Sequence, residues 1–191
     1  MSKLKTNKTP AERTDKYTFD VSQELLDVVN TQDEVINTMT RGEIHRLALM
    51  HRAVHLMVFN RIGEIFLQKR SMLKDNNPGL WDSSVSGHVD AGETYDQSVV
   101  RETKEEIGVC LSQQPQWLFT LPATAATGYE FTAVYRCRHE GPFILHPQEI
   151  DEGRWFTTEK VEDWLQNNPD LLAESVGPIW DQLKDFLNKP F

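Results

Sequence analysis

The sequence predicts an α/β fold in which a mixed sheet lies between helices. Short apolar or alternating runs are interspersed with stretches of helical periodicity along the chain. Turn signals such as Arg61-Ile62-Gly63 and Asn77-Pro78-Gly79 separate them. The strongest single element is a helix over residues 94–107, stopped by Gly108.

Taken in order, residues 1–20 lack apolar periodicity and are expected to form a mobile arm. Short strands are predicted at 24–29 and 34–39, and a short helix at 41–50. Residues 54–60 (VHLMVFN) and 64–69 (EIFLQK) follow as strands, and a third lies near 81–86. Residues 87–92 read as a loop with two glycines. After the 94–107 helix, strands are expected at 117–121, 131–138 and 153–156. Helices are expected at 158–167 and 171–187, the latter broken or kinked at Pro178. The organisation is therefore an arm at 1–20, N-terminal strands and a short helix at 21–48, the main domain at 49–180, and a helix end at 181–191.

The chain's 191 residues suffice for one domain with extensions and a real core. A net charge of −9 argues against a partner that is a nucleic-acid polymer, which calls for a basic face. It does not exclude a phosphorylated small molecule, because a bound divalent cation reverses the local field. No apolar run approaches the length of a membrane span, and the polar, Lys-rich start lacks the apolar region of a secretory signal. A cytoplasmic protein with Cys110 and Cys137 as reduced thiols is expected.

On a helical wheel with Glu102 at zero, Glu106 falls near ~40° and Glu105 near ~300°. Three carboxylates thus share one narrow face beside the stripe Val99, Val100, Thr103, Ile107. Like charges at i,i+3 and i,i+4 repel, and negative charge near a helix C-terminus opposes the macrodipole. Both costs vanish if a hard divalent cation such as Mg²⁺ binds there through oxygen ligands. Alone, three glutamates would read as a solvated acidic face.

Their surroundings change that reading. Residues 87–109 run Gly87, five residues, Glu93, seven residues, Arg101-Glu102-Thr103-Lys104-Glu105-Glu106-Ile107-Gly108-Val109. This resembles the Nudix box at every charged and glycine position, and a chance match is on the order of one in a billion per start position. Thr103 departs from the aliphatic residue the family prefers, a packing compromise. The resemblance, carried more loosely over about residues 49–180, implies a Nudix-like α/β/α sandwich. It also implies a Mg²⁺-dependent hydrolase of organic diphosphates, with Mn²⁺ as a substitute and a homodimer by family analogy. Glu102, Glu106 and Glu105 become the implied metal ligands, with the Gly87 carbonyl brought close because glycine lacks Cβ. Glu105, Glu102, Arg101 and the later Glu130 are the implied catalytic groups, one glutamate deprotonating the attacking water. Lys69, Arg70, Lys74 and Glu93 are candidate substrate contacts.

The stretch from His51 to Glu93 also resembles isopentenyl-diphosphate isomerase, a Nudix relative. The shared features are Phe59-Asn60, a Lys-rich loop, and Pro78-Gly79-Leu80-Trp81 leading into Ser84-Val85-Ser86-Gly87-His88. The isomerases place a catalytic cysteine where this chain has Ser86. Their histidine-rich metal site is matched by His51, His88 and Glu130 and nearly by His45, while one expected carboxylate is Gly128. The intact glutamate box and Ser86 favour hydrolysis over isomerisation, and over a binding module without turnover.

Overall fold

A computed structural model describes residues 21–187 and 189–190; the expected arm at 1–20 lies outside them. The described chain builds a two-stranded sheet and a seven-stranded sheet. The small sheet is the antiparallel pair β1 (Leu25–Val29) and β2 (Val35–Thr40). Thr40 and Glu43 form a capping box that starts α1 (Arg41–Leu47). Ala48, left-handed at φ 51°, ends this helix earlier than the 41–50 pattern suggested.

The large sheet is mixed. Strand β3 (His51–Phe59) pairs in parallel with β8 (Glu130–Arg138), in register from His51↔Glu130 to Phe59↔Arg138. Its other edge meets β4 (Ile65–Arg70) only at Val58 and Phe59, just beyond the turn. There the two strands splay. The run expected as one strand near 81–86 fills the gap as two, β5 (Trp81–Asp82) on β4 and β6 (Val85–His88) on β3. Ser84 bridges the fork, its Oγ accepting from Val58 N at 2.8 Å and donating to the Phe66 carbonyl at 2.5 Å. The splayed backbone needs these hydrogen bonds because it is buried. Gly87 and His88, expected in a loop, thereby become the end of a strand. Strands β7 (Gln116–Leu121) and β9 (Ile150–Phe156) add antiparallel to β8 and β4.

Alternation along β3 builds a core on each side of the sheet. Val54, Leu56 and Val58 face α2 (Tyr95–Ile107), with Val99 and Ile107 of that helix. Met57 and Phe59 face α3 (Thr158–Asn167) and α4 (Val176–Leu183), through Val161, Ile179 and Leu183. The architecture is the expected α/β/α sandwich. The single helix expected at 171–187 is instead a 3-10 turn, α4 and a second 3-10 turn. Pro178 sits in the first turn of α4, where its missing N–H costs nothing, and does not kink it. Among the described residues, no helix is long and apolar enough to cross a membrane.

The N-terminal sheet is fastened to the start of α2. Leu26 bridges to Asp90, Ala91 N donates to the Leu25 carbonyl at 2.8 Å, and Gly92 N donates to Asp27 Oδ2 at 2.9 Å. Asp33 accepts from Arg52 Nε at 2.6 Å and from the Tyr95 hydroxyl at 2.9 Å. Beneath these ties Leu26, Val28 and Ile44 form a separate small core. Leu26→Ala should therefore cost about 2–4 kcal/mol, measured by urea denaturation.

Candidate functional site

Helix α2 starts at a Thr94–Gln97 capping box and ends at Gly108, left-handed at φ 70°. These caps set the rotation that presents its acids. Val99, Thr103 and Ile107 are buried, and the Thr103 hydroxyl satisfies itself on the Val99 carbonyl at 2.5 Å. Beside this stripe Glu106 is 4% exposed. Its Oε2 accepts from Gln68 Nε2 at 2.9 Å and from Ser86 N at 3.1 Å. Glu102 lies so close beneath β6 that a Cβ on Gly87 would be 2.1 Å from its Cδ. Glu105 completes the face, but its side chain is 58% exposed.

Arg101 organises these acids. Its Nε donates to both Glu93 oxygens at 3.1 Å. Nη1 reaches Glu102 at 2.8 Å and Glu105 at 3.1 Å, and Nη2 reaches the His88 carbonyl and Glu93, each at 3.0 Å. Ser98 Oγ also donates to Glu93, at 2.5 Å. Glu93, a candidate substrate contact in the sequence, is thus committed to holding Arg101. Burial would raise the Glu93 pKa, but the hydrogen bonds from Arg101 and Ser98 more than offset it and hold the pKa low.

Without a cation the deeper acids resist ionisation. Burial pushes Glu102 up to about 7 despite Arg101. Burial and then the Glu102 charge push Glu106 well above the usual carboxylate range. A buried and a half-buried carboxylate that repel each other on one helix face are a donor set that a hard divalent cation offsets.

A second cluster lies on the other side of the β6 end. His45 comes from α1, His51 from β3, His88 from β6 and Glu130 from β8, and one ligand atom from each lies within 4.8 Å of the others. His88 Nε2 is 3.2 Å from His45 Nε2 and 3.3 Å from Glu130 Oε1, and His51 Nε2 is 3.5 Å from Glu130 Oε1. His51 Nδ1 sits 2.9 Å from the Leu49 carbonyl, to which it donates. That leaves the lone pair on Nε2, a buried atom without a hydrogen-bond partner. Burial, then His88, lowers His45 to about 4. Burial would raise the Glu130 pKa, but the neighbouring His51 and His88 rings outweigh it and lower the pKa. Neutral imidazoles plus a carboxylate, one ring oriented by a backbone carbonyl, suit a transition metal.

The cationic candidates are dispersed. Arg70 Nη1 is held by Asp82 Oδ2 at 3.0 Å, with Ser86 Oγ at 3.4 Å. Lys74 pairs with Glu149. Lys69 has Trp81 and Glu152 as register partners, which places it opposite Gln68 and away from α2. Of the aromatic residues, Trp81 is 8% exposed and belongs to the core.

Three contributors escaped the sequence reading. Gln68 and the Ser86 backbone N–H hold Glu106, and only the strand pairing reveals them. Arg41 is 9% exposed and its charge acts on both His45 and His88. Its position four residues before His45, on the same face of a helix, was the available signal.

Glutamates presented by one helix beneath a close-packed glycine match the arrangement that the Nudix-box resemblance implies for a hydrolase of phosphorus-containing acid anhydrides. Comparisons agree. The NUDIX domain model matches residues 49–175. An uncharacterised Nudix hydrolase of Yersinia pestis is 34% identical over 72% of this chain and 75% of its own length. A protein of Photorhabdus laumondii named isopentenyl-diphosphate Delta-isomerase 2 is 28% identical, over 78% of this chain and 86% of its own. A crystal structure from Deinococcus radiodurans superposes with a TM-score of 0.75 at 28% identity, covering 83% of this chain and 98% of that one. The chain belongs to the Nudix family and is a pyrophosphohydrolase. That family generally uses divalent metals.

Gly87→Ala drives a methyl group into Glu102, so Mn²⁺ affinity should fall by about 10-fold or more, read by isothermal titration calorimetry. Unchanged affinity would remove Gly87 from the site. A second expectation concerns pH. With Glu102 and Glu106 raised, the native state binds more protons than the unfolded chain between about pH 4.5 and 7. The Glu102–Glu106 contribution to metal-free stability should therefore fall as pH rises through that window, against the opposite contribution of His45, His55 and His88, whose pKa values burial lowers, and Mg²⁺ should raise the melting temperature more at pH 8 than at pH 5.5. Calorimetric melts at both values check this.

Proposed function

We propose that this chain is a Mg²⁺-dependent hydrolase, also served by Mn²⁺, that cleaves the diphosphate linkage of a nucleoside-diphosphate-like or other organic diphosphate. The observation that carries this reading is the Glu102–Glu106 pair under Gly87, with half-buried Glu102 held by Arg101 and buried Glu106 held by Gln68 and the Ser86 N–H. Glu102 and Glu106 would hold the metal, with the Gly87 carbonyl and the more exposed Glu105 beside them. A bound Mg²⁺ supplies charge neutralisation for the phosphate oxygens and the leaving group.

The chain's own residues do the rest. Glu105, exposed and tethered by Arg101, would take a proton from water, with Glu130 of the histidine cluster as the second candidate base. Lys74, whose charge acts on Glu106, Arg70, beside Ser86, and Arg41, whose charge acts on His45 and His88, are the cations that would hold phosphate, while Lys69 lies on the opposite face of its strand from Gln68. The site is proposed to act in the cytoplasm on a small molecule, in a homodimer.

A second reading, an isomerase of a prenyl diphosphate, is favoured by one observation, the His45–His51–His88–Glu130 cluster. Ser86 weighs against it, since a hydroxyl is a far weaker acid than the thiol at that place in the isomerases. The deciding experiment is incubation with nucleotide sugars, dinucleoside polyphosphates, NADH, nucleoside triphosphates and prenyl diphosphates, with Mg²⁺ or chelator. Phosphorus NMR should show metal-dependent cleavage of a diphosphate, whereas an intact diphosphate on a rearranged prenyl group would select the isomerase.

Once a substrate is found, Glu106→Gln should lower kcat by at least about 100-fold with the fold retained by circular dichroism. Wild-type turnover with an unchanged metal response would refute the role of Glu106.

A further inference from the structure

Arg41 has an unusual partner. It is 9% exposed, and among the described residues its one side-chain hydrogen bond runs from Nη1 to Asp75 Oδ2 at 3.2 Å, while the half-buried Glu24 is a further negative charge acting on it. A guanidinium has five N–H donors in a rigid fork, so most of its capacity is unused. Asp75 is 68% exposed and makes no other side-chain contact among the described residues. It sits at the tip of the segment 71–80, whose ends are anchored elsewhere. Ser71 N donates to the Glu149 carbonyl, Met72 N to Asp151 Oδ2, and Gly79 N to the Arg70 carbonyl. Lys74, the neighbour of Asp75, is tied to Glu149. The tip thus reaches across to α1 through one solvent-exposed carboxylate.

A mostly buried cation needs a counter-charge. Glu24 supplies part of it through its charge, and the direct pair with Asp75 is one monodentate contact to an exposed carboxylate, among the weakest kinds. A phosphate end with several charged oxygens matches the guanidinium fork far better. We propose that Asp75 is an internal counter-ion, seated on Arg41 when the site is empty and displaced by the diphosphate of the substrate. It acts on affinity and on selection by charge, leaving the chemical step alone. A ligand with a single negative oxygen offers Arg41 no more than Asp75 does and fails to exchange. A ligand with a dianionic phosphate end succeeds. The proposal rests on the diphosphate reading of this site.

The test is calorimetric binding of Mg²⁺–methylenediphosphonate, which cannot be hydrolysed, to the wild type, Asp75→Asn, Arg41→Gln and the double variant. Asp75→Asn should bind about fivefold more tightly, with the gain shrinking as salt is raised. Asp75→Glu should return affinity to the wild-type value. In the Arg41→Gln background the Asp75 substitution should yield no gain, because the counter-ion then has nothing to occupy. An equal gain in that background would mean Asp75 merely repels anions, and no gain in either would mean it is idle; each result overturns the proposal. Absence of binding by the wild type would overturn the diphosphate reading as well, so the two failures are told apart.

Discussion

The site depends on one guanidinium. Arg101 joins Glu93 before α2, Glu102 and Glu105 on it, and the His88 carbonyl at the end of β6. Acids on one helix face would repel one another and drift toward solvent. With Arg101 among them, and with Gln68 and Ser86 N on Glu106, they converge under Gly87. Burial, and for Glu106 then the Glu102 charge, still raises the pKa of both carboxyls. A divalent cation would favour their ionised forms.

The end of β6 serves two centres at once. Gly87 backs onto Glu102, while the next side chain, His88, points into the histidine cluster. Successive residues of a strand face opposite sides of a sheet, so two adjacent residues can belong to two chemically different sites. The splay of β3 from β4 makes room for this strand, and the Ser84 hydroxyl supplies the hydrogen bonds that the fork would otherwise lose. A serine deep in the core thus underlies both sites without touching either set of ligands.

The N-terminal segment is structural support and site component together. Its strands clamp the 90–92 loop ahead of α2, and its helix delivers His45 and Arg41. The ties run through Asp33, Arg52 and Tyr95, residues too far apart in sequence for any local pattern to connect.

By itself the sequence determined the α2 face, because helical geometry is local: the spacing of Glu102, Glu105 and Glu106 and the caps at Thr94 and Gly108 suffice to place them together. It also determined the alternation of strands and helices, and through the Gly87–Val109 pattern the family. It misjudged the stretch 81–88, since nothing local announces that β3 and β4 splay, and it ran one helix through 171–187 where tertiary contacts cut three pieces. Only the tertiary structure decided which charges are free. Arg70 and Glu93 look like ligand contacts in a linear reading, but distant partners, Asp82 and Arg101, occupy them. Arg41 looks like a solvated helix residue, yet the fold buries it beside His45 and His88. Ion pairing and burial are settled by residues on other elements, and that is why the chemistry of α2 was legible in the sequence while the choice of cations around it was not.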